Sequence, residues 1–230
     1  MSDQFHRTRL LLGEVAFERL RTAHITVVGC GAVGSFAIEA LARTGVGRLT
    51  LVDGDTVEES NINRQLCALH STIGQPKTEV LKKRIADICP ETVVQAKTAF
   101  LDSGNCADLI PVDTNWIVDA IDTVSGKIPL ILHAQKKKIP IISSMGAAMK
   151  TDLSCVKVAP LNQTKYCPLA ARVRKLLREK GADLSLPCVF SIEPPAGNRQ
   201  PDRQMGSLIT LTGSFGLALA NEVIKRITDV

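Results

Sequence analysis

Residues 25–41, Ile-Thr-Val-Val-Gly-Cys-Gly-Ala-Val-Gly-Ser-Phe-Ala-Ile-Glu-Ala-Leu, constrain what this chain can fold into more than any other stretch. Four β-favouring residues, Ile25 to Val28, run into Gly29. Gly29, Gly31 and Gly34 then follow in G-x-G-x-x-G spacing, and Ala37, Ile38, Ala40 and Leu41 recur at roughly helical intervals. This is the pattern of a buried strand, a glycine turn and the start of a helix. The first glycine permits the tight turn, the second lets a phosphate approach the backbone, and the third lets helix and strand pack closely. A phosphate placed there meets free N–H groups and the positive end of the helix dipole. The stretch therefore predicts a nucleotide site, and the spacing alone suits NAD at least as well as ATP.

The elements that follow alternate. The pattern predicts strand 48–53, helix 76–88, strand 92–96, a short helix within 100–110, strand 116–122, helix 125–137 and strand 139–143. Strands alternating with helices imply crossover connections and a mostly parallel, Rossmann-like α/β sheet flanked by helices. Before the glycine turn, Leu10 to Leu12, Val15, Phe17 and Leu20 predict an N-terminal arm and one helix. After residue 146 the pattern changes. Residues 153–158 alternate as an edge or antiparallel strand, 168–180 form an amphipathic helix, and 188–191 a short strand. Met205 to Val223 carries no charge before Glu222 but is rich in Ser, Thr and Gly; it reads as a buried strand leading into a packed helix rather than a membrane span. Residues 194–204 read as a polar loop. At 230 residues the chain fits one domain, 1–230, with a nucleotide-binding core over 1–145 and a substrate-side extension over 146–230.

A formal net charge of +5 permits an anionic partner such as RNA without requiring one. The seven cysteines form no C-x-x-C pair, which argues against a paired-cysteine zinc site. Residues 1–9 are polar and charged, unlike a signal peptide. The expectation is a cytoplasmic protein with reduced thiols and no transmembrane segment.

Several residues favour ATP over NAD. Asp53 lies 19 positions after Gly34, near the distance expected of a ribose-binding carboxylate. Asn61, Arg64 and Gln65 lie just beyond it and bring amides and a guanidinium towards the phosphates. Lys77 opens a helix after Gly-Gln-Pro, where a cation opposes the helix dipole. An anion held between the two explains that placement; a solvated surface lysine is the plainer alternative. Asp122 ends the fourth predicted strand, at the sheet edge where α/β proteins bind ligands, and could instead cap helix 125–137. Asp119, placed in mid-strand, is the weaker ligand candidate. Mg²⁺ is usually held by one or two carboxylates plus phosphate oxygens, and ATP, unlike NAD, requires it.

The run G-C-G-A-V-G, L-V-D-G-D, N-I-N-R-Q, G-Q-P-K and D-A-I-D resembles the adenylation domain of the E1-like (ThiF-type) superfamily, which activates carboxylates as acyl-adenylates. The segments Pro168-Leu-Ala-Ala-Arg-Val-Arg-Lys-Leu-Leu-Arg and Pro187-Cys-Val-Phe-Ser-Ile-Glu193 narrow the resemblance to the tRNA threonylcarbamoyladenosine dehydratase family. It implies ATP-dependent cyclisation of N6-threonylcarbamoyladenosine in tRNA. The alternative is adenylation of the C-terminus of a ubiquitin-like sulfur carrier, whose activators usually carry two C-x-x-C pairs. The resemblance implies nucleotide contacts from Gly29, Gly31, Gly34, Asp53, Asp55, Asn61, Arg64, Gln65 and Lys77, with Arg64, Lys77 and Asp122 catalytic and Asp122 on Mg²⁺. It also implies a homodimer in which an arginine of the N-terminal arm, Arg7 or Arg9, completes the partner's site. Arg172, Arg174, Lys175 and Arg178 become tRNA contacts, and Lys136 to Lys138 a second basic cluster. Cys188 and Cys167 lie in the region that could face the adenylate, with Cys188 the candidate thiol and a sulfur-relay protein a conceivable partner. The chain departs from the family at Ser144-Met-Gly-Ala-Ala148, where glycine-rich sequence is usual and where extra bulk would fall near the substrate pocket.

Overall fold

The structure is a computed structural model that describes residues 3–194 and 205–229. It begins with two helices where one was expected, α1 (His6–Leu12) and α2 (Glu14–Thr22). They are separated at Gly13, whose φ of 81° interrupts the helical backbone. The strand β1 (His24–Val28) follows, buried at every residue, and then α3 (Gly34–Thr44) and β2 (Arg48–Val52). Two single 3₁₀ turns, Glu59–Asn61 and His70–Thr72, lead to α4 (Lys77–Ile88), β3 (Val93–Lys97) and the short α5 (Cys106–Leu109). Next come β4 (Trp116–Asp119), α6 (Val124–Lys137) and β5 (Ile141–Ser144). The last part holds β6 (Val156–Pro160), α7 (Pro168–Glu179), β7 (Pro187–Ser191) and α8 (Ile209–Thr228).

The seven strands form one sheet in the order β3-β2-β1-β4-β5-β7-β6, parallel throughout except for β6 against β7. The expected α/β sheet with an antiparallel addition in the last third is what forms. From β1 the chain winds outwards through β2 to β3, then returns to build β4, β5 and β7 on the other side. The strand order thus reverses between β1 and β4, which opens a crevice at their carboxyl ends.

Each face of the sheet buries its own apolar cluster. Ile25, Val27, Leu49 and Leu51 pack against α3, α4 and α8 through Ile38, Leu81 and Phe215. Val28, Val52 and Ile117 pack against α5, α6 and α7 through Leu109, Ile131 and Val173. Residues 205–223 contain no strand. Leu211, Phe215, Leu219 and Val223 recur every four residues, so the segment buries its apolar face as a helix against α3. Among the described residues, no helix is long and apolar enough to cross a membrane. The predicted loop at 195–204 lies outside the described residues.

Candidate nucleotide site

The crevice between β1 and β4 is a cleft of about 670 Å³. The glycine turn after β1 forms its floor. Gly29 takes φ +92°, and a Cβ on Gly34 would sit 1.7 Å from the Gly29 carbonyl oxygen, so neither position accepts a side chain. Gly31 differs. A Cβ there would meet nothing nearer than the Gln65 side chain at 3.8 Å. Only something lying in the cleft would use the space its missing side chain leaves, as a bound phosphate does.

Asp53, just past the end of β2, accepts hydrogen bonds from the Cys30 amide (2.6 Å) and the Asp55 amide (2.8 Å). Those bonds fix its carboxylate beside the turn. Burial nevertheless raises its pKa, against those two donors and the Lys77 charge. Lys77, at the first position of α4, is 5% exposed, so it is no solvated surface lysine. Its ammonium donates to Asp55 Oδ2 at 2.8 Å. Asp55 is thus the partner that keeps Lys77 aimed along the cleft wall. Arg64 is held by Ser60 O and Asn63 Oδ1, both at 2.7 Å. Buried Asn61 closes the preceding 3₁₀ turn by accepting from the Glu58 amide. Asn61, Arg64, Gln65 and Lys77 all line the cleft.

Asp122 lies beyond the end of β4, which stops at Asp119, and stands one residue before Thr123, the cap position of α6. It therefore does not cap that helix. Its exposed carboxylate lines the cleft with no hydrogen-bond or ion-pair partner among the described residues. Asp119 is the last residue of its strand rather than a mid-strand one, and it is fully occupied. It is wholly buried and accepts from Lys127 Nζ at 2.7 Å and Ser143 Oγ at 2.6 Å.

The glycine turn, the Asp53 carboxylate, the Lys77 and Arg64 cations and the Asp122 carboxylate, the last unpaired among the described residues, share one cleft. The ThiF family model matches residues 5–230. The chain belongs to the ThiF family. A tRNA threonylcarbamoyladenosine dehydratase of Bacillus subtilis is 44% identical over 204 residues, covering 89% of this chain and 80% of that one. The Escherichia coli tRNA N6-threonylcarbamoyladenosine dehydratase solved in complex with AMP superposes with a TM-score of 0.93 at 36% identity, over 98% of this chain and 94% of that one. Its complex with ATP gives a TM-score of 0.92 over the same shares.

Other predicted residues of this ThiF-family chain fall elsewhere. Cys188 is wholly buried in β7, does not line the cleft, and has its thiol pKa pushed far up by burial. Cys167 caps α7, its Sγ accepting from the Ala170 amide (3.4 Å) and the Gly146 amide (3.3 Å). Met145 and Ala147, expected to add bulk near the substrate pocket, are buried in the core and do not line the cleft. On α7, Arg172, Lys175 and Arg178 are exposed, whereas Arg174, expected with them as a tRNA contact, is half-buried. It folds back to donate to Thr164 O (3.0 Å) and Thr164 Oγ1. In the N-terminal arm Arg9 pairs with Asp3 and Glu14 and stacks on Phe17, whereas Arg7 is exposed and unpaired among the described residues.

Two residues escaped sequence reasoning. Phe100 is 70% exposed, lines the cleft after β3, and has its ring against Gly54, where a Cβ would come within 2.6 Å of it. Its position at the carboxyl end of a strand, in a chain with few aromatic residues, was the available signal. Lys127 is wholly buried and holds Asp119, Ser143 Oγ (3.0 Å) and Ser144 O (2.9 Å). Nothing in a local sequence window marks a lysine for burial.

Proposed function

We propose that this chain is an ATP-dependent enzyme that cyclises N6-threonylcarbamoyladenosine in tRNA through an acyl-adenylate. The cleft carries the reading, because it gathers Asp122, unpaired among the described residues, with Lys77 and Arg64 around the open glycine turn. The close relatives bearing that enzyme name, and their complexes with AMP and ATP, support it.

In the first step a carboxylate oxygen of the threonyl group attacks the α-phosphorus of ATP. The bond to the bridging oxygen breaks and pyrophosphate leaves. Gly31 and the start of α3 hold phosphate oxygens, and Asp53 holds the ribose. Phe100 offers its exposed ring to the adenine face. Lys77 and Arg64 offset the charge on the transferring group and on pyrophosphate, which is mainly positioning and electrostatics. In the second step the ureido group attacks the activated acyl carbon, gives up its proton, and expels AMP. An internal nucleophile has a high effective molarity, so no protein thiol is needed; this agrees with the burial of Cys188.

Asp122 fits Mg²⁺, because its carboxylate lines the same cleft as the glycine turn and is unpaired among the described residues. Among the described residues no cluster of three His, Cys, Asp or Glu side chains forms a metal cage, so the ion would need nucleotide oxygens as ligands. Bound there it would supply charge neutralisation on the phosphates.

The chain acts as a homodimer in this reading. Leu10, Leu11 and Val15 expose an apolar face on α1 and α2, and Arg7 is the arm residue free to reach a partner's phosphates. Lys175 and Arg178 give α7 a basic face for the tRNA backbone, whose binding is then salt-sensitive. Seven free cysteines suit a reducing cytoplasm.

The test supplies labelled ATP with modified tRNA, unmodified tRNA or a sulfur-carrier protein. AMP release only with modified tRNA is expected, and its abolition by Asp122→Ala in a folded protein. Release with the carrier alone overturns the proposal in favour of sulfur-carrier activation.

A further inference from the structure

A second cleft, of about 500 Å³, adjoins the first. One wall is the start of α6, from Asp122 to Ser125; the other is the first turns of α7, through Pro168, Leu169 and Arg172. Asp122, Thr123 and Ser125 line both clefts, so a molecule in the second lies directly against one bound in the first. Its chemistry is divided. Pro168, Leu169 and Val124 present apolar surface, while the Arg172 guanidinium is exposed and has no hydrogen-bond or ion-pair partner among the described residues. The other α7 cations behave differently. Arg174 is tied to Thr164, and Lys175 and Arg178 lie outside the cleft.

We propose that this second cleft is the acceptor subsite, with Arg172 pairing with the carboxylate of the modified nucleoside and the apolar wall taking its uncharged part. The inference rests on the ATP-dependent reading above. An acceptor carboxylate that reaches the nucleotide must pass Asp122, a like charge. The Arg172 guanidinium, which lines the same cleft as Asp122, offsets that repulsion, and its planar fork matches a carboxylate with two parallel hydrogen bonds. Unmodified adenosine carries no carboxylate and leaves Arg172 without a partner. Arg172 therefore discriminates the modified from the unmodified nucleoside, whereas Lys175 and Arg178 hold any tRNA backbone alike.

The test measures affinity for modified and unmodified tRNA, ATP affinity, and AMP release, in wild type, Arg172→Ala, Arg172→Lys and Lys175→Ala. All three substitutions fall at exposed positions. Arg172→Ala is expected to lose about tenfold or more in affinity and kcat/KM for modified tRNA, the scale of a hydrogen bond to a charged group. It should leave unmodified tRNA and ATP binding unchanged, and Arg172→Lys should recover part of the loss. Lys175→Ala should weaken both tRNAs equally. Equal weakening of both tRNAs by Arg172→Ala would reduce Arg172 to a backbone contact and overturn the inference, as would an unchanged kcat/KM in an active enzyme. If wild type releases no AMP with modified tRNA, the ATP-dependent reading fails first and takes this inference with it.

Discussion

Asp53 carries an electrostatic cost of burial in the folded protein. Burial holds its carboxyl above the usual carboxylate range even though two amides and Lys77 favour the ionised form. A carboxyl whose pKa is raised in the folded state favours folding while protonated, and that stability is lost as pH rises through the folded value. Denaturant unfolding of the nucleotide-free protein should therefore show a falling limb as pH rises above about 4, where a free Asp ionises. Subtracting the curve of Asp53→Asn isolates this limb from the other carboxylates. A difference that does not change with pH would disprove the assignment. The same substitution should abolish nucleotide binding. Burial also pushes the Cys188 thiol pKa up, but Cys188 lies outside the cleft. Cys188→Ala should retain most AMP release, with a stability loss of about 1 kcal/mol from the small cavity. Its loss of turnover at wild-type nucleotide affinity would restore the thiol to the mechanism.

Lys127 joins three elements. From α6 it reaches Asp119 at the end of β4 and both Ser143 and Ser144 of β5, wholly out of solvent. The loop bearing Asp122 leaves β4 immediately after this clamp, so the clamp fixes where that carboxylate stands. Lys127→Met strands the Asp119 charge and should destabilise the fold by about 3–5 kcal/mol in urea titrations. Asp119→Asn/Lys127→Met removes both charges and should recover much of that loss; a double variant as unstable as the single one would refute the clamp. Secondary structure around this site was legible because its short apolar runs bounded by turn residues and its period-3.6 helices are strong patterns. The errors fell where one element borrowed its stability from another. Met205 to Val223 reads as a strand leading into a helix, yet residues 209–228 form one helix, α8, which gains more by docking a four-residue apolar repeat on α3. Arg174 sits on the polar side of α7 by periodicity, but a neighbouring turn with unpaired acceptors at Thr164 draws it inwards.

The sheet places the two clefts on one edge, at the reversal between β1 and β4 and beside the start of α7. A tRNA held along α7 would bring its modified base to the second cleft and hence to the nucleotide. The exposed apolar face of α1 and α2, and Arg7, which is unpaired among the described residues, fit the proposed dimer in which each site takes an arginine from a second copy. If so, Arg7→Ala and Lys77→Ala proteins, each inactive, should complement one another. Random mixing pairs an intact Lys77 with a partner's intact Arg7 at about a quarter of all sites, so AMP release should recover towards that fraction of wild type. No recovery in mixtures shown to exchange subunits would remove the shared site.

Gly29, Gly31 and Gly34, the alternating apolar runs and the acidic residues at strand ends were enough to predict a parallel sheet, a phosphate turn and a triphosphate-binding set. Each of those depends on local backbone geometry or on side chains near one another in the chain. Other properties came only with the tertiary structure. Asp119 and Asp122 stand three residues apart on the same chain segment, yet one is spent on a buried lysine and the other is free for a ligand. Lys77 is buried against Asp55, Cys188 is sealed in β7, and Phe100 is left in the open cleft. Burial and pairing depend on which distant elements pack against a residue, and these decide which of its charges and surfaces remain available for chemistry.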